Sequence, residues 1–321
     1  MATVYLAQRD GRNVAVKELH DFLAEDPACL AMLADEARIL GAIRHPNVVE
    51  MLGVIADEEG ASALVMEWVD GVSLTALVEA LAATGRRLPL DVVVGLARDI
   101  LAGLDAAHEA RGPEGESLEI VHRDVSPQNV LVGFDGLARV IDFGVAKSSV
   151  RQQQTIQGAI KGKLGYLAPE QLDGRCDRTT DVFALGVVLW ELLTGKRLRT
   201  ASEIAPVLVE IFCGVVAKPS THAPEAGPLD GIVLRALRRD PEDRFATARE
   251  MAAALTAAVQ PGSSARIASV LREVLDDAAD LAYAAEARES STRQRRADRR
   301  YSEVVPAAVV APASGKRPRA A

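Results

Sequence analysis

Residues 3–19 alternate apolar and polar positions and end in the run VAVKEL, which predicts two short strands joined at Arg9–Arg12. Residues 28–43 place Leu30, Leu33, Ala37, Leu40 and Ile43 at helical spacing, with Asp26–Pro27 as the start signal. Two more strands are expected over Val48–Ala56 and Ala61–Trp68, separated by the acidic turn DEEG. Beyond Asp70–Gly71 helical periodicity takes over, at 73–83, 89–110, 180–194, 203–215, 229–238 and 246–258. Short apolar runs between polar loops interrupt it over 120–145. Strands first and helices later predict an α+β protein of two unequal lobes, 1–69 and 70–258.

A further amphipathic helix is expected over 259–287. Its stripe comprises Ile267, Val270, Leu271, Val274, Leu275, Ala278, Leu281 and Ala282. It either packs on the larger lobe or pairs with another chain; packing on the parent domain is the commoner outcome. Residues 288–321 are rich in Arg, Pro, Ala and Ser and are expected to form a disordered basic tail, either solvated or a docking or membrane-surface arm.

With 49% apolar and 26% charged residues the chain has the composition of a folded globular protein. Aromatics are only 4%, so Ala, Val and Leu must build the core. The net charge of −8 argues against a nucleic-acid binder with a basic surface. The longest apolar runs, Phe183–Leu193 and Val304–Ala313, are too short or too proline-broken to span a bilayer. MATVYLAQRD lacks the order of a signal peptide, and the chain is expected in the cytoplasm. Cys29, Cys176 and Cys213 are far apart and odd in number, which suggests buried small hydrophobes rather than disulfides or a zinc site.

The chemistry rests on an ordered set of short pieces: VAVK ending at Lys17, Glu36 in DEARIL, HRDVSPQN at 122–129, DFG at 142–144 and GYLAPE at 165–170. Each alone is weak, but the ordered set resembles the eukaryotic-like, Hanks-type serine/threonine protein kinases of bacteria, notably myxobacteria, over roughly 1–258. The resemblance implies a two-lobed fold, with a small antiparallel β-sheet lobe and a larger, mainly helical one. It also implies ATP and Mg²⁺ as cofactors, protein substrates, a role in signalling, no nucleic-acid partner, and room for self-association in autophosphorylation.

Phosphoryl transfer asks a protein chiefly for positioning and charge neutralisation. By resemblance Lys17 binds the α/β phosphates and Glu36 fixes it. Asp142 and Asn129 offer the hard oxygens that Mg²⁺ prefers. Asp124 accepts the substrate hydroxyl's proton. Met66, Glu67, Trp68 and Val69 match the adenine hinge, with the Glu67 carbonyl and the Val69 backbone as its contacts. Val4 and Ala15 cover the ring, Leu131 lies beneath it, and Ser73 falls at a ribose contact. Glu170 and Arg244 match a buried ion pair, and Asp181 the anchor of the catalytic loop. His108, on an apolar helical face, reads as a core histidine.

Three features depart from or extend that pattern. Ala2 stands where the third glycine of a phosphate-covering G-x-G-x-x-G-x-V loop belongs, and the earlier glycines and first strand are absent. A start codon assigned too late is the expected cause; a truncated or non-catalytic kinase is the alternative. Second, Ser126 occupies the place of a γ-phosphate-binding Lys, while Lys163 follows Gly162 where Thr is usual. Lys163 is expected to reach back toward Asp124 and the γ-phosphate, or else to face solvent. This exchange weakens the inference of Ser/Thr over Tyr acceptors. Third, Arg123 before the catalytic Asp implies control by phosphorylation in the segment holding Ser148, Ser149 and Thr155, with Thr155 favoured over a spectator role. A protein kinase is the leading reading. A pseudokinase used as a scaffold and a small-molecule kinase are the alternatives.

Overall fold

The computed structural model describes residues 2–19, 37, 40–56, 62–143, 164–201 and 203–301, without side chains at 2, 19, 56, 62, 204, 213 and 283–301. Residues 1–278 form one compact unit and 279–321 a second.

The small lobe is a four-stranded antiparallel sheet of β1 (Ala2–Arg9), β2 (Arg12–Leu19), β3 (Met51–Ala56) and β4 (Ser62–Glu67), in the order β1-β2-β4-β3. The β1–β2 hairpin turns at Asp10 and Gly11, both at positive φ (52° and 75°), so the turn falls where the charged run predicted it. Val14, Ala15, Leu64, Val65 and Met66 are its buried residues. At the sheet edge Val4 and Leu6 on β1 are each 57% exposed. Of the helix expected over 28–43, the described residues 37 and 40–42 are helical.

The larger lobe begins with β5 (Gly71–Ser73), a three-residue strand that the periodicity did not reveal. Then come α1 (Leu74–Thr84) and α2 (Leu90–His108). The Ser73 hydroxyl caps α1 by accepting from the Ala76 N–H at 3.1 Å. β6 (Val130–Gly133) and β7 (Ala138–Val140) pair with β5 in a small antiparallel sheet, order β5-β6-β7. The central helix α3 (Arg178–Thr194) is capped by Asp177 and ends on left-handed Gly195. Its run from Val182 to Trp190 is buried throughout, as expected of a helix apolar on every side. Helices α4 (Ile204–Cys213), α5 (Asp230–Ala236) and α6 (Ala248–Ala258) complete the lobe.

The last helix, α7, runs over Ser264–Tyr301, past residue 287 where a disordered tail was expected to begin. Ala, Glu and Arg in that stretch carry high helix propensity even without an apolar stripe. Ile267, Val270, Leu271 and Val274 are buried in the core of the first unit, the packed alternative for this stripe. Residues 302–321 lie outside the described residues. Cys176 is a free, half-buried thiol whose pKa is pushed up chiefly by burial, not a core residue; Cys29 is outside the described residues. Among the described residues no helix is long and apolar enough to cross a membrane.

Candidate active site

The site is organised by a buried carboxylate. Asp181, in the first turn of α3, is fully buried. Its Oδ2 accepts from the His122 N–H at 2.8 Å and its Oδ1 from the Arg123 N–H at 2.8 Å. His108 Nε2 lies 2.8 Å from Oδ2, so three polar partners compensate the buried charge. The two backbone donors can converge because Arg123 adopts a left-handed φ of 66°. His108 is thus a core histidine that serves the anchor.

From this anchor the loop 122–129 is built by short-range bonds. The Asp124 N–H donates to His122 Nδ1 at 3.2 Å, and His122 Nε2 pairs with the Ile141 carbonyl at 2.9 Å. One tautomer, with its proton on Nε2, satisfies both. The His122 ring also lies 4.7 Å from that of Phe143. Asn129 closes the turn Pro127–Asn129. Its Nδ2 donates to the Asp124 carbonyl at 2.7 Å and to Asp124 Oδ2 at 3.0 Å. The Asn129 carbonyl accepts from the Ile141 N–H at 3.0 Å. Asp124, Asn129 and the start of the DFG segment are therefore joined directly.

Asp142 follows with a φ of 57°, a strained conformation for a non-glycine residue. Its Oδ1 lies 2.7 Å from Lys17 Nζ, which reaches down from β2 across the cleft between the lobes. Asp142 is 41% exposed at its side chain and Lys17 15%. The expected partner Glu36, the activation-segment residues Ser148, Ser149 and Thr155, and Lys163 lie outside the described residues.

The donor set fits Mg²⁺. With Nδ2 committed to Asp124, Asn129 has its amide oxygen to offer, and Asp142 offers a carboxylate. Among the described residues no group of three or more His, Cys, Asp or Glu side chains forms a metal cage. Magnesium suits such a site, since it is usually held by one or two protein oxygens completed by phosphates and water.

Above this lies the hinge at the end of β4. The Glu67 N–H donates to the Glu50 carbonyl at 2.9 Å. The Glu67 carboxylate lies 3.2 Å from Arg139 Nε, and Arg139 also binds Asp135 at 2.6 Å. Burial pushes the Glu67 carboxyl above its ordinary value, with Arg139 pulling the other way. Arg139 on β7 thus ties the hinge to the strand that leads into Asp142. Leu131 stands opposite Ser73 in the β5–β6 register, Ala15 opposite Met66, and Val4 opposite Lys17. Trp68 is 40% exposed and Val69 partly buried against the core. Ser126 is buried, and its hydroxyl has no hydrogen-bond partner among the described residues.

Glu170 and Arg244 form a two-point bond, 2.7 Å at each nitrogen, both side chains almost wholly buried. Thr180 donates to Glu170, and Arg244 also donates to the carbonyls of Arg238, Thr179 and Arg239. Three contributors were missed in the sequence. Arg139 is one. Arg199 is another: it donates to the carbonyls of Leu164, Gly165 and Leu167, so it holds the GYLAPE segment from behind. Burial lowers its pKa to about 10. Asn47 is the third, donating to the Ala138 carbonyl at 2.9 Å while its own carbonyl accepts from Val140, a tie between the lobes.

A lysine from a strand, a buried aspartate under an HRD turn, and an asparagine bridging that turn to a DFG segment agree with what comparison finds. The protein kinase domain profile matches residues 1–254, and the chain belongs to that family. Its curated relatives include the tyrosine-protein kinase MasK of Myxococcus xanthus, 36% identical over 262 residues, covering 79% of this chain and 40% of that protein. Pkn1, a serine/threonine-protein kinase of the same organism, is 37% identical over 256 residues, covering 77% of this chain and 35% of its own length. The chain therefore spans about two-fifths of the length of these relatives. Among solved structures the Mycobacterium tuberculosis PknI kinase domain is 27% identical with a TM-score of 0.61, covering 80% of this chain and 90% of that one.

Proposed function

We propose that this chain transfers the γ-phosphate of ATP to Ser or Thr hydroxyls of protein substrates. The observation that carries the reading is the Asn129 amide, bonded to Asp124 while its backbone holds the residue before Asp142. These bonds join the proposed base to the proposed metal-binding residues, which supports their acting together.

Asp124 accepts the proton of the acceptor hydroxyl and orients its oxygen toward the phosphorus. Lys17 places its charge against the nucleotide phosphates, with Asp142 holding the ammonium. Asp142 and Asn129 would hold Mg²⁺, which would supply neutralisation of charge on the phosphate oxygens. Glu67 and Val69 receive the adenine through their backbone. Ala15 and Val4 cover the ring, Leu131 supports it, and Ser73 faces the ribose. Glu36 steadies Lys17, and Lys163 supplies the charge that Ser126 does not. The cytoplasm suits such an activity.

A second reading, Tyr as acceptor, is favoured by Ser126. A short hydroxyl side chain stands there where Ser/Thr-directed members of the family usually carry a lysine, which removes one of the features that set a preference for Ser or Thr. MasK, among the relatives, is named a tyrosine-protein kinase.

Incubation with labelled Mg-ATP and protein acceptors, followed by phosphoamino-acid analysis, tests both. Label on Ser and Thr supports the first reading and label on Tyr the second. Label on neither, with full ATP recovery, removes the kinase reading.

A further inference from the structure

The family profile ends at residue 254, yet the helix α7 beyond it bonds Phe134, which is itself bonded to the end of the hinge. Arg272 on α7 donates from Nη2 to the Phe134 carbonyl at 2.8 Å, its guanidinium carbon 5.8 Å from the Phe134 ring centre. Phe134 sits just after β6, and its N–H donates to the Asp70 carbonyl at 2.7 Å. Asp70 directly follows the hinge residues Glu67, Trp68 and Val69. Phe134 is thus held at both backbone groups, by the helix on one side and the hinge on the other. Arg272, Arg139, Glu67, Trp68 and Asp70 share the lining of one open cavity of about 480 Å³.

Contacts other than those of Arg272 also hold α7 in place. The buried stripe Ile267, Val270, Leu271 and Val274 supplies the apolar contact. Arg266 pairs with Asp91 at 3.5 Å, and Arg86 with Glu273 at 3.5 Å and with Asp277. Arg272 itself is exposed. The hinge, by contrast, has no regular structure between β4 and β5 and is half-open to solvent, so each bond at its end constrains it.

We propose that Arg272 is a positioning residue for the nucleotide. By fixing Phe134 it fixes the Asp70 end of the hinge, which makes the ATP affinity of this chain depend on α7. The inference rests on the kinase reading above and adds to it a control point outside the family domain. A single hydrogen bond of this kind changes an equilibrium by about 2- to 10-fold.

The test is Arg272→Ala in the full chain. Its Kd for Mg-ATP by calorimetry and its KM for ATP are expected to rise about 3- to 10-fold, with kcat and the thermal midpoint unchanged. Acrylamide quenching of tryptophan emission should increase, because Trp68 is 40% exposed and Trp190, the other tryptophan, is 4% exposed. Arg272→Lys, which can still donate to a carbonyl, should restore Kd and KM. Unchanged affinity in Arg272→Ala, or a loss shared equally by kcat and the thermal midpoint, overturns the proposal while the kinase reading stands. Absence of ATP binding by the unaltered chain overturns both.

Discussion

Lys17 Nζ lies 2.7 Å from Asp142 Oδ1, joining residues 125 positions apart across the cleft. The contact puts a cation and the carboxylate proposed to hold Mg²⁺ at one point. Removing Lys17 should therefore cost transition-state charge stabilisation more than folding. Lys17→Met is expected to lower kcat by about 10²- to 10³-fold, with the unfolding midpoint changed little. A variant with full turnover would separate Lys17 from the phosphates.

The Glu170–Arg244 pair is buried and bonded at both nitrogens, so breaking it strands a charge. Arg244→Ala or Glu170→Ala should lose about 3–5 kcal/mol in urea unfolding. Arg244→Lys should recover little, since an ammonium cannot match the fork or the three carbonyls. Near-complete rescue by Lys would show that charge alone matters there.

His45 gives the fold a pH dependence of definite sign. Burial lowers its pKa below 6.5, against the pull of Asp105 and Asp99. Its Nδ1 accepts from the Asn47 N–H at 3.2 Å, which a protonated ring cannot do. The unfolded chain binds the proton more readily. The stability from His45 is therefore complete above about pH 6.5 and is lost as pH falls through the lower folded value. His45→Gln should flatten the decline of the thermal midpoint between about pH 7.5 and 5. Identical slopes for the two proteins would assign that decline elsewhere.

Gly136, at the β6–β7 turn, has a φ of 78°, and a Cβ there would collide with the Ser264 carbonyl oxygen at the start of α7. Gly136→Ala should destabilise the protein by about 1–3 kcal/mol, read as a lower denaturant midpoint. Gly115, also at positive φ but with open space around it, is the control and should lose less when changed to Ala.

β1 and β2 were legible because residues 3–19 alternate, β3 and β4 because short apolar runs flank the acidic turn DEEG, and α3 because its apolar run is long. The motif residues were legible as a set, since Asp124, Asn129, Asp142 and Lys17 keep their order in the chain. Less legible were features that only tertiary contact defines. β5 has three residues, too few to show a period. Arg139 and Arg199 look like ordinary surface arginines until β4 and the GYLAPE segment fold over them. The extension of α7 to Tyr301 carries no apolar stripe, so composition there resembled a tail.

The most direct measurement is transfer of labelled γ-phosphate by the purified chain beside Asp124→Asn, at saturating Mg-ATP and acceptor. Asn keeps the size of the side chain and its bond to Asn129 but cannot take the hydroxyl proton. The unaltered chain should label the acceptor, and the variant should be slower by about 10²- to 10⁴-fold while still binding ATP. Equal labelling by the two proteins would contradict the assignment of Asp124 as the base.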